Sequence, residues 1–313
     1  MMSISFGRRL AAALATASLV LMGPAGAARA EARPVLEQDW RVRVMPLGDS
    51  ITWGVGSSSE DSYRSALYWR LAAAGVNADF VGSQRSGDSP DPDNEGHKGW
   101  TIAQLADHVD EWLWTYEPDV ILLHIGTNDM VRGVQDAPRQ LDALLDKIAE
   151  DLPTAQVFVA KIVGLGDYSD TPAQRFRTVE YNAAIPAIVA SKGPNFHLVD
   201  QSNVHGIDMF NREHPNDYGY RKMAWNWYSA LSTVLDNGGG AWPSAGNPYR
   251  AGYGYRCLQR STLGRAAQGC HTWYQRRPGV WQLPFAQKVR YRVKVGGKVV
   301  TRVRIVTRWL TAA

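Results

Sequence analysis

The feature that most constrains the fold is a regular alternation of apolar runs with helix-like segments between residues 42 and 235. The runs are short and rich in β-branched residues, which is typical of strands buried on both faces. The segments between them have the apolar spacing of amphipathic helices. This alternation predicts a parallel sheet with helices on both faces. Strands are predicted at 42–47, 78–82, 120–125, 157–163 and 196–199, and helices at 63–74, 102–116, 138–151, 173–190 and 215–235.

Two polar side chains directly follow predicted strands. Ser50 lies in the segment GDSIT (48–52) after the first strand, and Asn128 lies in GTND (126–129) after the third. Ligands of parallel sheets bind beyond the carboxyl ends of the strands, so both residues are expected at one edge of the sheet. A serine hydroxyl at this edge is a candidate nucleophile, but it needs a base and donors for the oxyanion that forms.

Other segments supply candidates for both roles. His214 stands before the last predicted helix, whose first residue would be Pro215, a favoured first-turn residue, so the imidazole can face the sheet edge as the base. Gly99 lies in a turn that leads into a helix, where backbone N–H groups are unpaired. Together with the side-chain amide of Asn128 and the backbone N–H of Ser50, Gly99 would complete a set of three oxyanion donors.

The ordered set of Ser50, Gly99, Asn128 and His214 resembles the SGNH (GDSL) hydrolases. The segment HKGWTI (97–102) is most similar to their acetylxylan-esterase-like branch, which includes carbohydrate esterase family three and its bacterial relatives. The resemblance covers roughly residues 41–236. It implies a flavodoxin-like three-layer α/β/α fold with five parallel strands, and hydrolysis of short acyl esters on carbohydrate through an acyl-enzyme on Ser50. It implies neither a metal nor an organic cofactor.

Other functions are compatible with the same residues. A lysophospholipase or a general carboxylesterase would use the same serine chemistry on a different ester. A catalytically weak protein that binds the cell surface or a polysaccharide would retain the fold with little hydrolysis. Trp53 and Trp100 flank the candidate catalytic segments, and they are expected either to line the substrate site or to belong to the core.

One position departs from the family pattern. The family usually has an aspartate three residues before the histidine, and this chain has Asn211 there. An amide oxygen can accept a hydrogen bond but brings no charge, and the corresponding exchange in a serine protease lowers turnover about 10⁴-fold. Three arrangements are open: Asp208 orients the histidine instead, a backbone carbonyl does so and leaves a Ser–His dyad, or the enzyme is slow or inactive.

The first 30 residues have the pattern of a secretory signal. Arg8 and Arg9 precede an apolar stretch at 10–22, and residues 28–30 (ARA) offer a cleavage site before Glu31. The arginine pair is also compatible with twin-arginine export. Because the apolar stretch is too short to span a bilayer comfortably, the protein is expected to be secreted and to have no transmembrane segment.

Charge divides the rest of the chain into two parts. Residues 31–240 contain 17 Lys and Arg against all 30 Asp and Glu, whereas residues 241–313 contain 14 Lys and Arg and no acidic residue. This contrast predicts a hydrolase domain at 31–236, a flexible linker at 237–245 and a basic β-rich module at 246–313. A polyanionic cell-wall partner is one expectation for the module, and a merely solvated basic face is the other. Export disfavours nucleic acid as the partner.

The basic module contains both cysteines of the chain. Export favours a disulfide between Cys257 and Cys270. The two cysteines do not stand in the cysteine and histidine spacing of a zinc site.

Residues 288–306 alternate apolar and basic side chains around Gly296 and Gly297, which predicts a β-hairpin. Because register follows the buried face where there is one, a three-residue turn at 296–298 is expected, with Tyr291 opposite Val303. That register would also place like charges opposite each other, which is unfavourable. A two-residue turn would instead place Tyr291 opposite Arg302.

Overall fold

The computed structural model describes residues 41–166 and 172–312. The predicted secretory signal, Glu31 and the start of the predicted hydrolase domain lie outside this part. A seven-stranded sheet forms the centre of the described residues. Its strands are β1 (Val42–Gly48), β2 (Ala78–Phe80), β3 (Gln84–Arg85), β4 (Asp93–Gly96), β5 (Val120–His124), β6 (Gln156–Lys161) and β7 (Phe196–Asp200).

The order of the strands creates a switch point at the carboxyl ends of β1 and β5. One side of β1 pairs with β5, which is followed by β6 and β7, all parallel. The other side of β1 pairs with β2 along its first half and with β4 at its end, also parallel. The chain therefore leaves β1 toward one side of the sheet and later continues on the other. Ligands of such sheets bind at the crevice this reversal leaves.

Helices cover both faces of this sheet, because alternate strand residues face opposite apolar clusters. One cluster joins strand residues such as Val44 and Leu122 to α2 (Arg64–Ala73) and α8 (Asp217–Leu231). The other joins residues such as Met45 and Ile121 to five helices. These are α3 (Ile102–Ala106), α4 (Val109–Tyr116), α5 (Thr127–Arg132), α6 (Ala137–Asp151) and α7 (Pro172–Ser191). In the described part of the chain, no helix is both long and apolar enough to cross a bilayer.

The predicted three-layer α/β/α fold is confirmed, and the five predicted strands correspond to β1, β2, β5, β6 and β7. The sequence pattern missed β3 and β4, which are two and four residues long and contain no apolar run. The helix predicted at 102–116 is two helices, because the chain turns at Asp107 and His108.

A second, antiparallel sheet lies at the C-terminus. Its order is β11–β10–β9–β8, formed by β8 (Tyr253–Leu258), β9 (Gly269–Arg277), β10 (Val280–Val295) and β11 (Lys298–Ala312). The predicted disulfide is confirmed, and it joins directly opposite residues of β8 and β9, Cys257 and Cys270. β9 pairs with β10 only as far as Gln282, and beyond that residue β10 pairs with β11 alone. We call the two-stranded part at residues 284–308 the ribbon.

The predicted register of the ribbon is wrong. Val295 pairs with Lys298, so the turn has two residues and Tyr291 lies opposite Arg302. Gly296 and Gly297 have φ of 58° and 81°, as a type I′ turn requires, and its twist matches that of the strands. Neither face of the ribbon is buried, so no apolar face sets the register. The observed pairing also places Arg292 opposite Thr301, which separates the like charges that the predicted pairing brought together.

The segment predicted as a linker is held against the helices of the first sheet. Asn237 Nδ2 donates to the Ala74 carbonyl at 3.1 Å. The Arg70 guanidinium donates to the carbonyls of Ala245 at 3.2 Å and Gly246 at 2.6 Å. The two sheets accordingly belong to one compact unit.

Candidate active site

Ser50 is positioned by the turn that ends β1. Asp49 caps the short helix α1 (Ser50–Trp53), because its Oδ1 accepts the Ile51 N–H at 2.9 Å. The preceding residue has to be small, since a Cβ on Gly48 would lie 2.2 Å from the His124 carbonyl oxygen on β5. Ser50 is therefore the first helical residue beyond the carboxyl end of β1.

His214 reaches Ser50 from the segment between β7 and α8. The distance between Ser50 Oγ and His214 Nε2 is 2.8 Å. A backbone hydrogen bond stabilises the bend of this segment, because the Phe210 N–H donates to the His214 carbonyl at 2.7 Å. Asn216 caps α8 by accepting the N–H groups of Tyr218 and Gly219. The structure thus brings together two residues that are 164 positions apart in sequence.

Asn211 contacts the other nitrogen of the imidazole. Its Oδ1 lies 2.9 Å from His214 Nδ1 and also accepts the backbone N–H groups of Glu213 at 3.0 Å and His214 at 2.9 Å. Those two donors fix which end of the amide faces the ring, since an NH₂ group cannot accept them. An oxygen at this place requires a proton on Nδ1, which leaves Nε2 free to accept from Ser50.

The imidazole is neutral over a wide pH range. Burial lowers the pKa of His214 to about 4, because desolvation disfavours the charged ring. Among the described residues, no carboxylate is hydrogen-bonded to this ring to oppose that effect. The Ser50–His214–Asn211 set therefore has the geometry of a catalytic relay with a neutral third member.

The three predicted oxyanion donors flank the same edge. Ser50 N–H is in the first turn of α1, where helices leave N–H groups unpaired. Gly99 has φ +83° and its N–H has no acceptor among the described residues, while its carbonyl accepts from Arg132 Nη2 at 2.7 Å. Asn128 lies in α5 (Thr127–Arg132) directly after β5, and its Nδ2 donates to the Trp100 carbonyl at 2.9 Å. That bond uses one hydrogen of the amide and orients the other.

Asp208 is not at the place that an alternative orienting acid would need. Its Oδ1 accepts from Arg256 Nε at 2.8 Å, and its Oδ2 accepts from Lys222 Nζ at 2.6 Å. Both carboxylate oxygens are thus held by cations of α8 and β8, and Asn211 makes the contact with His214. The physical reason is that the bend of the loop turns Asn211 toward the imidazole and Asp208 toward the C-terminal sheet.

Trp53 and Trp100 pack beside the candidate site. Trp53 lies under Lys98, whose Nζ is 4.2 Å from the ring centroid. Trp100 stacks on His97 at 4.2 Å and also contacts Trp112 of α4. Both indoles are partly buried, so each packs against the protein on one side and is open to solvent on the other.

Sequence reasoning missed Arg64, a fully buried arginine that holds the end of α1. Its Nε donates to the Thr52 carbonyl at 3.2 Å, and its Nη2 donates to the Trp53 carbonyl at 3.1 Å and to Ser86 Oγ at 2.7 Å. These bonds satisfy carbonyls that a four-residue helix leaves unpaired. An arginine within a helical pattern carries no sequence signal of such a role.

The sequence also gave no sign that β8 supports the histidine segment. The Gln259 N–H donates to the Phe210 carbonyl at 2.7 Å. Asn216 Nδ2 donates to the carbonyls of Ile207 at 2.9 Å and Cys257 at 3.2 Å. With the Asp208–Arg256 pair, these bonds tie the outer side of the histidine segment to the C-terminal sheet.

Two further titratable groups lie buried behind the candidate nucleophile. Burial raises the pKa of Asp49 to about 7, against the opposing hydrogen bond from Ile51. Burial lowers the pKa of His124 to about 4, and its Nε2 accepts the Val163 N–H at 3.3 Å. Both groups are structural supports of the β1 and β5 ends. Within residues 41–166 and 172–312, no group of histidine, cysteine or carboxylate side chains is arranged to hold a metal ion.

Comparisons with known proteins agree with this fold. The family model of the GDSL-like lipase/acylhydrolases matches residues 47–222. A family 3 carbohydrate esterase of Clostridium thermocellum is 38% identical, covers 62% of this chain and 97% of its own, and superposes with a TM-score of 0.55. A family 3 carbohydrate esterase of Talaromyces cellulolyticus is 27% identical, with coverages of 62% and 97% and a TM-score of 0.54.

A curated relative is longer than the chain. The multidomain esterase of Ruminococcus flavefaciens is 29% identical over an alignment of 225 residues, and the match covers 62% of this chain and 29% of that protein. The match therefore spans less than a third of the relative's length.

Proposed function

This chain belongs to the GDSL-like lipase/acylhydrolase family, and on that premise we propose that it is a serine ester hydrolase. The observation that carries the proposal is the relay from Ser50 Oγ to His214 Nε2 at 2.8 Å and from His214 Nδ1 to Asn211 Oδ1 at 2.9 Å. A neutral imidazole whose Nε2 has a free lone pair is the state that a general base requires.

The proposed reaction proceeds through an acyl-enzyme. Ser50 Oγ attacks the ester carbonyl while its proton passes to His214 Nε2. The N–H groups of Ser50 and Gly99 and the amide of Asn128 hold the oxyanion. The bond to the alcohol then breaks, and the alcohol leaves with the proton from Nε2. Water repeats the sequence on the acyl-serine, releases the carboxylic acid and restores the hydroxyl of Ser50.

The role we propose for Asn211 is to hold the proton on Nδ1 throughout this cycle. In a serine protease, replacing the orienting aspartate by asparagine is harmful because the imidazole takes the wrong tautomer. Here two backbone N–H groups hold the amide oxygen toward the ring. This arrangement supports a working tautomer without a carboxylate, although the imidazolium that forms lacks a neighbouring negative charge.

For the substrate we propose short acyl esters, of the acetyl type, on carbohydrate. The 38% and 27% identical structures are both named carbohydrate esterases of family 3, and they are covered almost completely by this chain. We also propose that the protein is exported, which agrees with the N-terminal pattern and with the Cys257–Cys270 disulfide.

The test is hydrolysis of p-nitrophenyl acetate by the full chain and by its Ser50→Ala variant. The parent is expected to exceed the variant by about 10⁴-fold or more, and rates should fall as the acyl chain is lengthened from acetate to octanoate. Equal rates from the two proteins would remove the proposal. A preference for octanoate would favour a lipid ester over an acetylated sugar.

A second proposal concerns the ribbon, which we propose contacts a polyanionic cell-wall polymer. Its support is that Lys288, Arg290 and Arg292 on one strand and Arg302 and Arg304 on the other are exposed, in a module without acidic residues. Binding to an anionic polymer should then weaken steeply between 50 mM and 500 mM salt. Binding that survives the higher salt unchanged would contradict an electrostatic contact.

A further inference from the structure

An open cleft runs along the edge strand of the C-terminal sheet and reaches the wall of the candidate active site. The part of the cleft between α8 and β8 has a volume of about 550 Å³ and is lined by Arg221, Arg250, Tyr253 and Tyr255, among others. Arg221 and Tyr255 also line a second depression of about 310 Å³. Because they share these two residues, the two depressions adjoin, and together we call them the cleft.

The far wall of the second depression belongs to the loop that follows the candidate nucleophile. It is formed by residues 57–59, 61 and 62, which include four serines. Gly56 of this loop lies against His214, since a Cβ on it would be 3.0 Å from His214 Cβ. The Tyr220 hydroxyl donates to the Val55 carbonyl at 2.7 Å and fixes the loop on α8. The cleft therefore ends at a loop that also contacts His214.

Two tyrosines give the cleft its aromatic surface. Tyr253 and Tyr255 alternate with buried residues along β8, and their side chains are 68% and 53% exposed. Between them Gly254 lies flat on the Tyr218 ring, where a Cβ would come within 2.3 Å of Cε2. The backbone of β8 therefore packs against Tyr218, and the two phenol rings lie on the outer face, about 7 Å apart along the strand.

The aromatic surface continues across the sheet. Tyr253 pairs directly with Tyr274 of β9, so the two side chains share one face. The Tyr274 ring contacts Trp309 of β11 at 6.5 Å between centroids. Tyr274 is 41% and Trp309 is 42% exposed, so one face of this sheet presents a row of partly open rings rather than isolated apolar residues.

We propose that this cleft binds a polysaccharide chain, and that it holds the esterified polymer beside Ser50. Sugar rings have apolar C–H faces that stack on aromatic side chains and rims of hydroxyl groups that need hydrogen-bond partners. The tyrosines supply the first, and Ser58, Arg221 and Arg250 supply the second. A fatty acyl chain would cover the charged groups of Arg221 and Arg250 without pairing them, which disfavours a lipid. The inference rests on the proposed carbohydrate-ester function, since the same polymer would carry the acyl group.

The proposal is tested with a double variant, Tyr253→Ala with Tyr255→Ala, against the control Tyr291→Ala. Tyr291 is a 39% exposed tyrosine of the ribbon, outside the cleft. The double variant is expected to raise KM for acetylated xylan about tenfold with kcat retained. Its kcat/KM for p-nitrophenyl acetate should stay within twofold of the parent. Tyr255→Phe keeps the ring and should keep most of the affinity, and unchanged melting temperatures should show that all variants fold.

A binding measurement separates this proposal from the catalytic one. The Ser50→Ala chain, which needs no turnover, is tested for retardation by deacetylated xylan in an affinity gel, with and without the two tyrosine substitutions. Retardation that the substitutions abolish is the expected result. Equal retardation overturns the proposal, and so does an equal loss on both ester substrates. Retardation that depends on Arg290 and Arg292 of the ribbon instead would assign polymer binding to charge and also overturn it. Equal p-nitrophenyl acetate rates for Ser50→Ala and the parent would defeat the proposed function alone.

Discussion

The two sheets of this protein differ in burial and in charge. β5 of the parallel sheet is buried along its whole length, and its part of the chain is acidic. The ribbon of the antiparallel sheet is exposed on both faces and basic, with Val303 56% and Ile305 70% exposed. The first sheet fixes side chains at its edge through close packing. The second packs at its base, where Leu258, Trp273 and Leu283 form a buried cluster with Ile207.

This contrast shows which side chains of the molecule have a well-determined position. At the edge of the parallel sheet, several hydrogen bonds hold Asn211 and His214, and the turn before Ser50 leaves no room for a Cβ at Gly48. In the ribbon, the two-glycine turn matches the observed register and no buried face supports it. Substitutions should therefore lower activity or stability most at the edge of the first sheet, less at the junction between the sheets and least in the ribbon.

The largest effect among the supporting residues is expected for Asn128→Ala. Loss of one oxyanion donor typically lowers the rate by about 10²–10³-fold. A loss of this size is expected here, because the Trp100 carbonyl holds the Asn128 amide in place. The measurement is kcat/KM for p-nitrophenyl acetate together with the melting temperature. A tenfold or smaller loss would show that the amide does not face the oxyanion.

The junction between the sheets should give the next largest effect. Arg256 is 1% exposed and pairs with the buried Asp208. Arg256→Met leaves a buried carboxylate with Lys222 as its remaining cation, and breaking a buried pair costs about 3–5 kcal/mol. The free energy of unfolding should fall by roughly 3 kcal/mol in urea denaturation.

The control for this junction is Arg256→Lys, which keeps a charge but loses the guanidinium plane between Tyr218 and Trp281. It should recover part of the stability. If Arg256→Met unfolds at the same urea concentration as the parent, the two sheets are independent and β8 does not support the histidine segment.

The sequence predicted those parts that depend on local pattern. Ser50 and Asn128 follow apolar strands, and the rule for parallel sheets is sufficient to place both at one edge. The choice between Asn211 and Asp208 was left open, because it depends on the bend of one loop and on Arg256, which is 48 residues further along the chain. The sequence pattern predicts the register of the ribbon wrongly, because apolar alternation determines register only where one face is buried, and neither face of the ribbon is buried.

A smaller effect, on pH dependence, is expected for Asn211→Asp. With its pKa near 4, His214 of the parent is neutral above about pH 5, so kcat/KM should fall only in more acidic solution. A carboxylate at position 211 favours the charged ring and raises the pKa of His214 by about 1–3 units. Since the base acts in its neutral form, the acid limb of the kcat/KM profile should move to higher pH by the same amount.

The same variant should gain turnover at pH 8, because the carboxylate stabilises the imidazolium that forms in the transition state. The measurement is a pH–rate profile from pH 3.5 to 9 for both proteins. An acid limb at the same pH in both would mean that residue 211 does not contact the imidazole during catalysis.

The smallest effect is expected in the ribbon, for Arg292→Ala with Arg304→Ala. Both side chains are exposed, and surface substitutions away from packed features usually change the free energy of unfolding by less than about 0.5 kcal/mol. Neither arginine lies opposite another cation, so their removal relieves no repulsion across the pair of strands. Urea denaturation and p-nitrophenyl acetate hydrolysis should match the parent, while retention on an anionic polymer falls. A fall of 2 kcal/mol in the free energy of unfolding would show that these arginines belong to a packed part of the protein. The two sheets would then differ in charge and not in packing.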